Sequence, residues 1–150
     1  MPRRPSLPRA KAGAQGPSRD PKRRGELAEL AFLHKAASLG FVVSKPYGDS
    51  SRYDFIVDWN GKLSRVQVKS ARKLCKGAYH ISSNRHSSGN TYGYTAAEID
   101  VLVGYVVPED AWYVIPVGAF SPRKSLRLYP HLVEKDELYG EYRDAWQLLR

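Results

Sequence analysis

A chain of 150 residues is long enough to bury one core and short enough to be a single domain. Its 42% apolar content is that of a globular protein, its lone cysteine (Cys75) excludes an internal disulfide and a cysteine metal cluster, and no apolar run approaches the ~18 residues of a membrane span. The net charge of +9 points to a polyanionic partner, a property shared by nucleic-acid-binding, nuclease, ribosomal and membrane-surface proteins.

Residues 1–20 are rich in Pro, Gly, Ala, Arg and Lys, and Arg3, Arg4, Arg9, Lys11 and Arg19 against Asp20 give them +4 of the total charge. Such a segment buries too little apolar surface to offset chain entropy, so it reads as a disordered basic tail. It serves either as an arm along phosphates or as a solubilising leader. Prolines within it oppose an amphipathic transit helix, and the arginines are followed by no apolar segment of a secretory signal. The chain is therefore expected in the cytoplasm, nucleoid-associated if its partner is DNA.

The folded domain is expected over residues 21–150. Strong helix formers run from Glu26 to Leu39, with Gly40 as a stop and Glu26 and Glu29 in the N-terminal turns, where the helix dipole favours acids. Leu27, Leu30, Ala31, Phe32, Leu33, Ala36 and Ala37 leave only a narrow polar strip, which predicts a helix largely buried between other elements. Glu29 has Phe32 and Leu33 at i+3 and i+4, so a carboxylate there needs a partner or a metal. Both glutamates are equally readable as dipole-favoured acids.

A short strand over residues 41–44 and a turn-rich loop over residues 46–51 lead into a hairpin spanning residues 53–70. Asn60-Gly61 between alternating apolar and polar residues is a type I′ turn signal, because both central residues need φ > 0. Counting outward, Trp59 faces Lys62, Val57 faces Ser64, Phe55 faces Val66, and Asp54 lies opposite Gln67. Phe55, Val57, Val66 and Val68 point to a core. Asp54, Gln67 and Lys69 share the other face, with opposed Cβ atoms ~4.5–5.5 Å apart.

Downstream, residues 71–76 are basic and structurally ambiguous, and residues 78–82 read as a strand. Residues 83–95 read as a long surface loop with nucleic-acid-compatible donors and two stacking candidates, Tyr92 and Tyr94. A helical turn is expected at residues 95–98, a central strand at residues 100–107 and its neighbour at residues 111–115, ended by Pro116. A short edge strand follows at residues 126–129. Tyr142, Ala145, Trp146 and Leu149 fall at i, i+3, i+4 and i+7, predicting a closing helix over residues 136–149. Trp59, Trp112 and Trp146 read as core residues, and the four histidines show no metal spacing. The order gives an α/β (α+β) domain, a mixed β-sheet flanked by helices.

An acid, an amide and a lysine on the open face of a hairpin suit metal-dependent phosphodiester cleavage. Mg²⁺ takes oxygen ligands, so Asp54 is the charged ligand, Gln67 offers a neutral carbonyl oxygen, and the Val68 backbone carbonyl is a further candidate. Lys69 would position or deprotonate water and stabilise charge on the phosphate, while Glu29 would add a carboxylate. Arg24, Ser51, Arg52, Arg65, Arg72, Arg85 and Tyr92 are the candidate nucleic-acid contacts. Without more, the same face reads equally as a solvated strand surface with an incidental cross-strand pair.

The runs GELAE (residues 25–29), GDSSRYD (residues 48–54) and VQVKS (residues 66–70) resemble the PD-(D/E)XK nuclease superfamily with its restriction-endonuclease-like core. The branch most resembled holds group I intron homing endonucleases and, more distantly, archaeal Holliday-junction resolvases. The resemblance implies Glu29 as the helix glutamate, Asp54 as the metal-binding aspartate, and Gln67 and Lys69 as the two ends of the (D/E)XK element. It implies a Mg²⁺-dependent (or Mn²⁺-dependent) DNA endonuclease. Tyr53 stands where the motif has proline, and Gln67 where it commonly has an acid. The Gln67 departure carries the alternative, a non-catalytic nucleic-acid-binding module on a decayed nuclease fold. A basic RNA-associated protein is a third reading. One site in so short a chain cuts one strand, so double-strand cleavage implies a homodimer or higher homo-oligomer.

Overall fold

The computed structural model describes residues 19–132 and 138–150. Most of the basic tail, residues 1–18, lies outside them, as do residues 133–137, which include the first two residues of the expected closing helix. Helix α1 (Pro21–Ser38) starts five residues before the first strong helix former. Asp20 is the reason: its carboxylate accepts the Lys22 amide at 3.0 Å, and Pro21 opens the first turn, where its missing N–H costs nothing. The earlier start leaves no acid in the first turn, so the dipole no longer accounts for Glu26 or Glu29.

Strands β1 (Val42–Ser44), β2 (Phe55–Trp59) and β3 (Lys62–Ala71) follow. The turn joining β2 to β3 has Asn60 at φ 50° and Gly61 at φ 87°, a conformation that admits asparagine and glycine cheaply. The β2–β3 register pairs Trp59 with Lys62, Val57 with Ser64 and Phe55 with Val66, as counted from the turn. β8 (Val101–Val106) lies parallel to β3, and β9 (Ala111–Pro116) antiparallel to β8. The result is a mixed five-stranded sheet in the order β1-β2-β3-β8-β9.

One face of this sheet carries Phe55, Val57, Val66, Val68, Val101, Val103, Trp112 and Val114, and α1 lies on it through Ala28, Phe32 and Ala36. The Phe32 ring sits 5.2 Å from that of Phe55 and 6.3 Å from that of Trp146. Truncating an aromatic so placed costs ~3–5 kcal/mol, so this contact fixes the helix on the hairpin. The helix buries one stripe only. Leu27, Leu30 and Leu33 are exposed, contrary to the expectation of burial between elements, because the sheet covers a single side of α1. All three tryptophans pack against this core, with Trp59 partly buried.

The opposite face packs on a second, three-stranded sheet rather than on a helix. Its order is β10-β5-β4, built from β4 (Leu74–Cys75), β5 (Ala78–Ser82) and β10 (Ser125–Leu128). Ile81, Leu102, Ile115, Leu126 and Leu128 are buried between the sheets. The segment read as a loop is instead a ribbon, β6 (Asn84–Ser87) and β7 (Asn90–Gly93), closed by Ser88 at φ 50° and Gly89 at φ 79°. Its residues are too polar for an apolar alternation to show, so the turn pair was its only signal. A four-residue helix, α2 (Val117–Phe120), follows β9.

The closing helix does not form over its described part. Asp144 takes φ 50°, which a continuous helix cannot hold, and the chain makes separate 3₁₀ turns at Gly140–Tyr142 and Trp146–Leu149. Ala145, Trp146 and Leu149 are still buried, so the apolar spacing marked the core contacts and not the helix. No helix among the described residues is long and apolar enough to cross a membrane.

Candidate active site

β3 outruns β2. Beyond the Phe55–Val66 pair, Asp54 N still donates to Val66 O at 2.8 Å, but no β2 carbonyl remains for the Val68 amide. The Asp54 side chain takes that place, its Oδ2 accepting Val68 N at 2.8 Å and Gln67 Nε2 at 2.8 Å. A backbone donor at the free sheet edge is thereby satisfied by the carboxylate itself. Within a strand residue, N–H and C=O leave on the same edge, so the Val68 carbonyl also opens here, 3.5 Å from Gln67 Nε2.

The cost of this placement falls on the charge. Asp54 is pushed up to about 6, first by burial and then by the Glu29 carboxylate, against the Val68 N–H and the Lys69 and Lys45 ammoniums. Lys69 is shifted the other way, below the ordinary lysine value, because burial disfavours its ammonium more than Asp54 favours it. Its Nζ sits 5.9 Å from the centre of the Tyr94 ring. Tyr94 is 4% exposed, so it forms a floor under Lys69 and cannot stack on a base, contrary to expectation. β7 ends at Gly93, so the face that exposes Tyr92 does not extend to Tyr94.

Glu29, Asp54, Gln67, Val68 and Lys69 line one cavity of ≈ 390 Å³, together with Arg24 and Arg72. Glu29 and Asp54 also line an adjoining cavity of ≈ 260 Å³ with Ser51 and Lys45. The remaining expected contacts lie elsewhere. Arg65 is tied bidentately to Asp100 (2.8 and 3.1 Å) and donates to the carbonyls of Ala96 and Ala97. Its guanidinium is thus committed to holding the turn before β8. Arg85 pairs with Glu98 at 2.7 Å and lies 5.0 Å over the Tyr92 ring, and Arg52 approaches the same glutamate at 3.8 Å. Arg85, Glu98, Arg52 and Tyr92 make a second cluster against the β6–β7 ribbon.

Sequence reasoning missed Lys45, which forms an ion pair with Glu29 Oε2. Its signal was present only in pairing: β1 runs antiparallel to β2 with Ser44 opposite Ile56, which sets Lys45 beside Phe55.

A divalent metal fits these residues by donor chemistry. Among the described residues Asp54 accepts its hydrogen bonds at Oδ2, the Val68 carbonyl lies at the sheet edge, and the Gln67 amide, which presents Nε2 to both, offers Oε1 to a cation when it turns over. Such all-oxygen donors suit Mg²⁺. No group of three or more His, Cys, Asp or Glu able to hold a metal occurs among the described residues, so the set rests on two carboxylates and neutral oxygens.

A mixed sheet with a helix glutamate and a D…QxK hairpin converging on one cavity defines a restriction-endonuclease-like fold. The family model described as PD-(D/E)XK endonuclease matches residues 19–149, and this chain belongs to that family. It is similar to the bacterial homing endonuclease I-Ssp6803I, with 32% identity and a TM-score of 0.71 over 86% of this chain and 92% of that one. It shares its fold with Hjc, a Holliday junction resolvase from Archaeoglobus fulgidus, at 14% identity and a TM-score of 0.53, covering 84% and 95% of the two chains. No curated protein matches it in sequence.

Proposed function

We propose that this protein is a divalent-metal-dependent DNA endonuclease that hydrolyses phosphodiester bonds at the Asp54–Lys69 cavity. The observation that carries the reading is the meeting of Glu29, Asp54, Gln67, Val68 and Lys69 with two arginines around a single cavity. Asp54, the Val68 carbonyl, Gln67 Oε1 and Glu29 would hold the metal, Mg²⁺ or Mn²⁺, which when bound supplies Lewis-acid stabilisation of phosphate charge and an acidified water. Lys69 orients the attacking water and is suited to proton transfer, since burial has already weakened its hold on the proton. Arg24 and Arg72 grip backbone phosphates as charged donors.

Likeness to a homing endonuclease and to a junction resolvase supports DNA as substrate, cut in homing fashion or by structure. Two such sites, hence a symmetric dimer or higher oligomer, are needed to cut both strands. The test is cleavage of plasmid, branched and single-stranded substrates with and without Mg²⁺. Asp54→Ala and Lys69→Ala are expected to abolish cutting while keeping DNA binding. Full metal-dependent cleavage by both variants would sink the assignment.

One observation favours a second reading, a binding module without catalysis: position 67 holds an amide whose Nε2 donates to Asp54 Oδ2 at 2.8 Å, where the family's motif commonly has an acid. Salt-sensitive DNA binding with no cleavage of any substrate in Mg²⁺ or Mn²⁺ would select it.

A further inference from the structure

Two acids and two ammoniums meet at this site, and the fourth charge, Lys45, has no part in the function so far proposed. Lys45 follows the last residue of β1 and reaches across to α1, where its Nζ pairs with Glu29 Oε2. The ammonium lies 5.2 Å from the centre of the Phe55 ring, which steadies it weakly. The Lys45 side chain keeps 60% of its exposure and that of Glu29 25%. Lys45, Glu29 and Asp54 line the same ≈ 260 Å³ cavity. Lys69 differs in being half-buried over Tyr94, so of the two ammoniums only Lys45 combines contact with a site acid and a head open to solvent.

With Lys45 in place, Glu29 already has its counter-charge, and the two ammoniums balance Glu29 and Asp54. A divalent cation entering this site must compete with a lysine for Glu29. An exposed ammonium on a flexible stem is also the group a nucleic-acid phosphate attracts most readily. We infer that Lys45 is a positioning residue: it holds Glu29 in the free protein and transfers to a backbone phosphate of bound nucleic acid, which frees Glu29 for a divalent cation. Substrate and cation then bind with positive coupling, and the coupling is the same whichever binds first. The inference rests on the metal-dependent reading above.

The test measures Mn²⁺ affinity of the full chain by electron paramagnetic resonance, alone and with a mixed-sequence duplex carrying phosphorothioate linkages that resist hydrolysis. In the wild type the duplex is expected to tighten Mn²⁺ binding about tenfold. Lys45→Met, whose stem can still lie over Phe55, is expected to bind Mn²⁺ about fivefold or more tightly without DNA, and to gain little further from the duplex. Lys45→Arg keeps the charge and is expected to keep the coupling. Unchanged or weaker Mn²⁺ binding by free Lys45→Met, or full coupling in that variant, would overturn the inference. Asp54→Ala separates the two ideas. If it binds Mn²⁺ as the wild type does, the metal site itself falls. If it loses binding while Lys45→Met behaves as wild type, only the role of Lys45 falls.

Discussion

Replacing Asp54 with asparagine should stabilise the free protein, and only above a definite pH. The carboxyl is raised from its ordinary 3.8 to about 6, chiefly by burial. A rise of that size disfavours the charged form by ~3 kcal/mol, or ~2–3 kcal/mol after allowance for the residual solvent contact of a partly buried group. The sign follows from proton counting. Below about pH 4 the group is largely protonated in both states and contributes nothing. Between about pH 4 and 6 the unfolded chain ionises first, the native state holds more protons, and stability falls as pH rises. Above about pH 6 the full penalty persists. The substituted asparagine would still accept the Val68 amide through its carbonyl, and Gln67 can turn its amide to match. Urea unfolding followed by the fluorescence of buried Trp112 and Trp146, in chelator, at pH 4 and pH 8 measures the effect. Asp54→Asn should exceed the wild type by ~2–3 kcal/mol at pH 8 and by less than ~1 kcal/mol at pH 4. A variant no more stable than the wild type at pH 8 would refute a strained carboxylate at this position.

Gln67→Glu puts a carboxylate oxygen in place of Gln67 Nε2, which now lies 2.8 Å from Asp54 Oδ2. It should tighten Mg²⁺ binding in calorimetric titration while lowering metal-free stability above pH 6. Unchanged Mg²⁺ affinity would place residue 67 outside the metal's shell. For DNA binding, Arg24→Ala and Arg72→Ala should each reduce the slope of log K against log salt by about 1. Arg65→Ala should leave that slope alone and lower the thermal midpoint, because its guanidinium is spent on Asp100, Ala96 and Ala97. The reverse pattern, in salt titrations followed by fluorescence anisotropy, would reassign Arg65 to the nucleic-acid surface.

The hairpin was legible because its information is local. Asn60-Gly61 fixes the turn, the turn fixes the register through Phe55–Val66, and just past that last pair the Asp54 and Gln67 side chains meet as counting from the turn predicts. The central strand β8 was equally legible, since Val101–Val106 is apolar on both faces and both faces are covered. What failed depended on partners distant in sequence. The apolar girth of α1 suggested burial all round, but its buried residues Ala28, Phe32 and Ala36 lie on the stripe that meets Phe55 and Trp146, while Leu27, Leu30 and Leu33 stay exposed. The helical spacing of Tyr142, Ala145, Trp146 and Leu149 was real as a pattern of burial, yet two 3₁₀ turns broken at Asp144 achieve much of it. Arg65 and Lys45 illustrate the same limit at the level of charge. Arg65 reads as a phosphate contact until its acid partner, 35 residues away, is brought beside it, and Lys45 goes unread because its partner Glu29 lies 16 residues away on another element.

The amide at position 67 follows from the same electrostatics that strain Asp54. Once β2 stops short, the Val68 N–H needs an acceptor, and the carboxylate that supplies it is buried beside Glu29. A second acid at 67 would face Asp54 directly and drive its proton affinity higher still in the metal-free protein, where no cation offsets the repulsion. Gln67 instead donates to Asp54 and favours its charged form. The exchange removes one negative charge from the metal's surroundings. Glu29 is then the remaining carboxylate near enough to matter among the described residues, and it is the one that Lys45 holds in the free protein. Under the proposed function, a site built this way would depend on its substrate for its full charge, which is the physical reason to seek coupling between DNA and metal at Lys45 rather than at the hairpin itself.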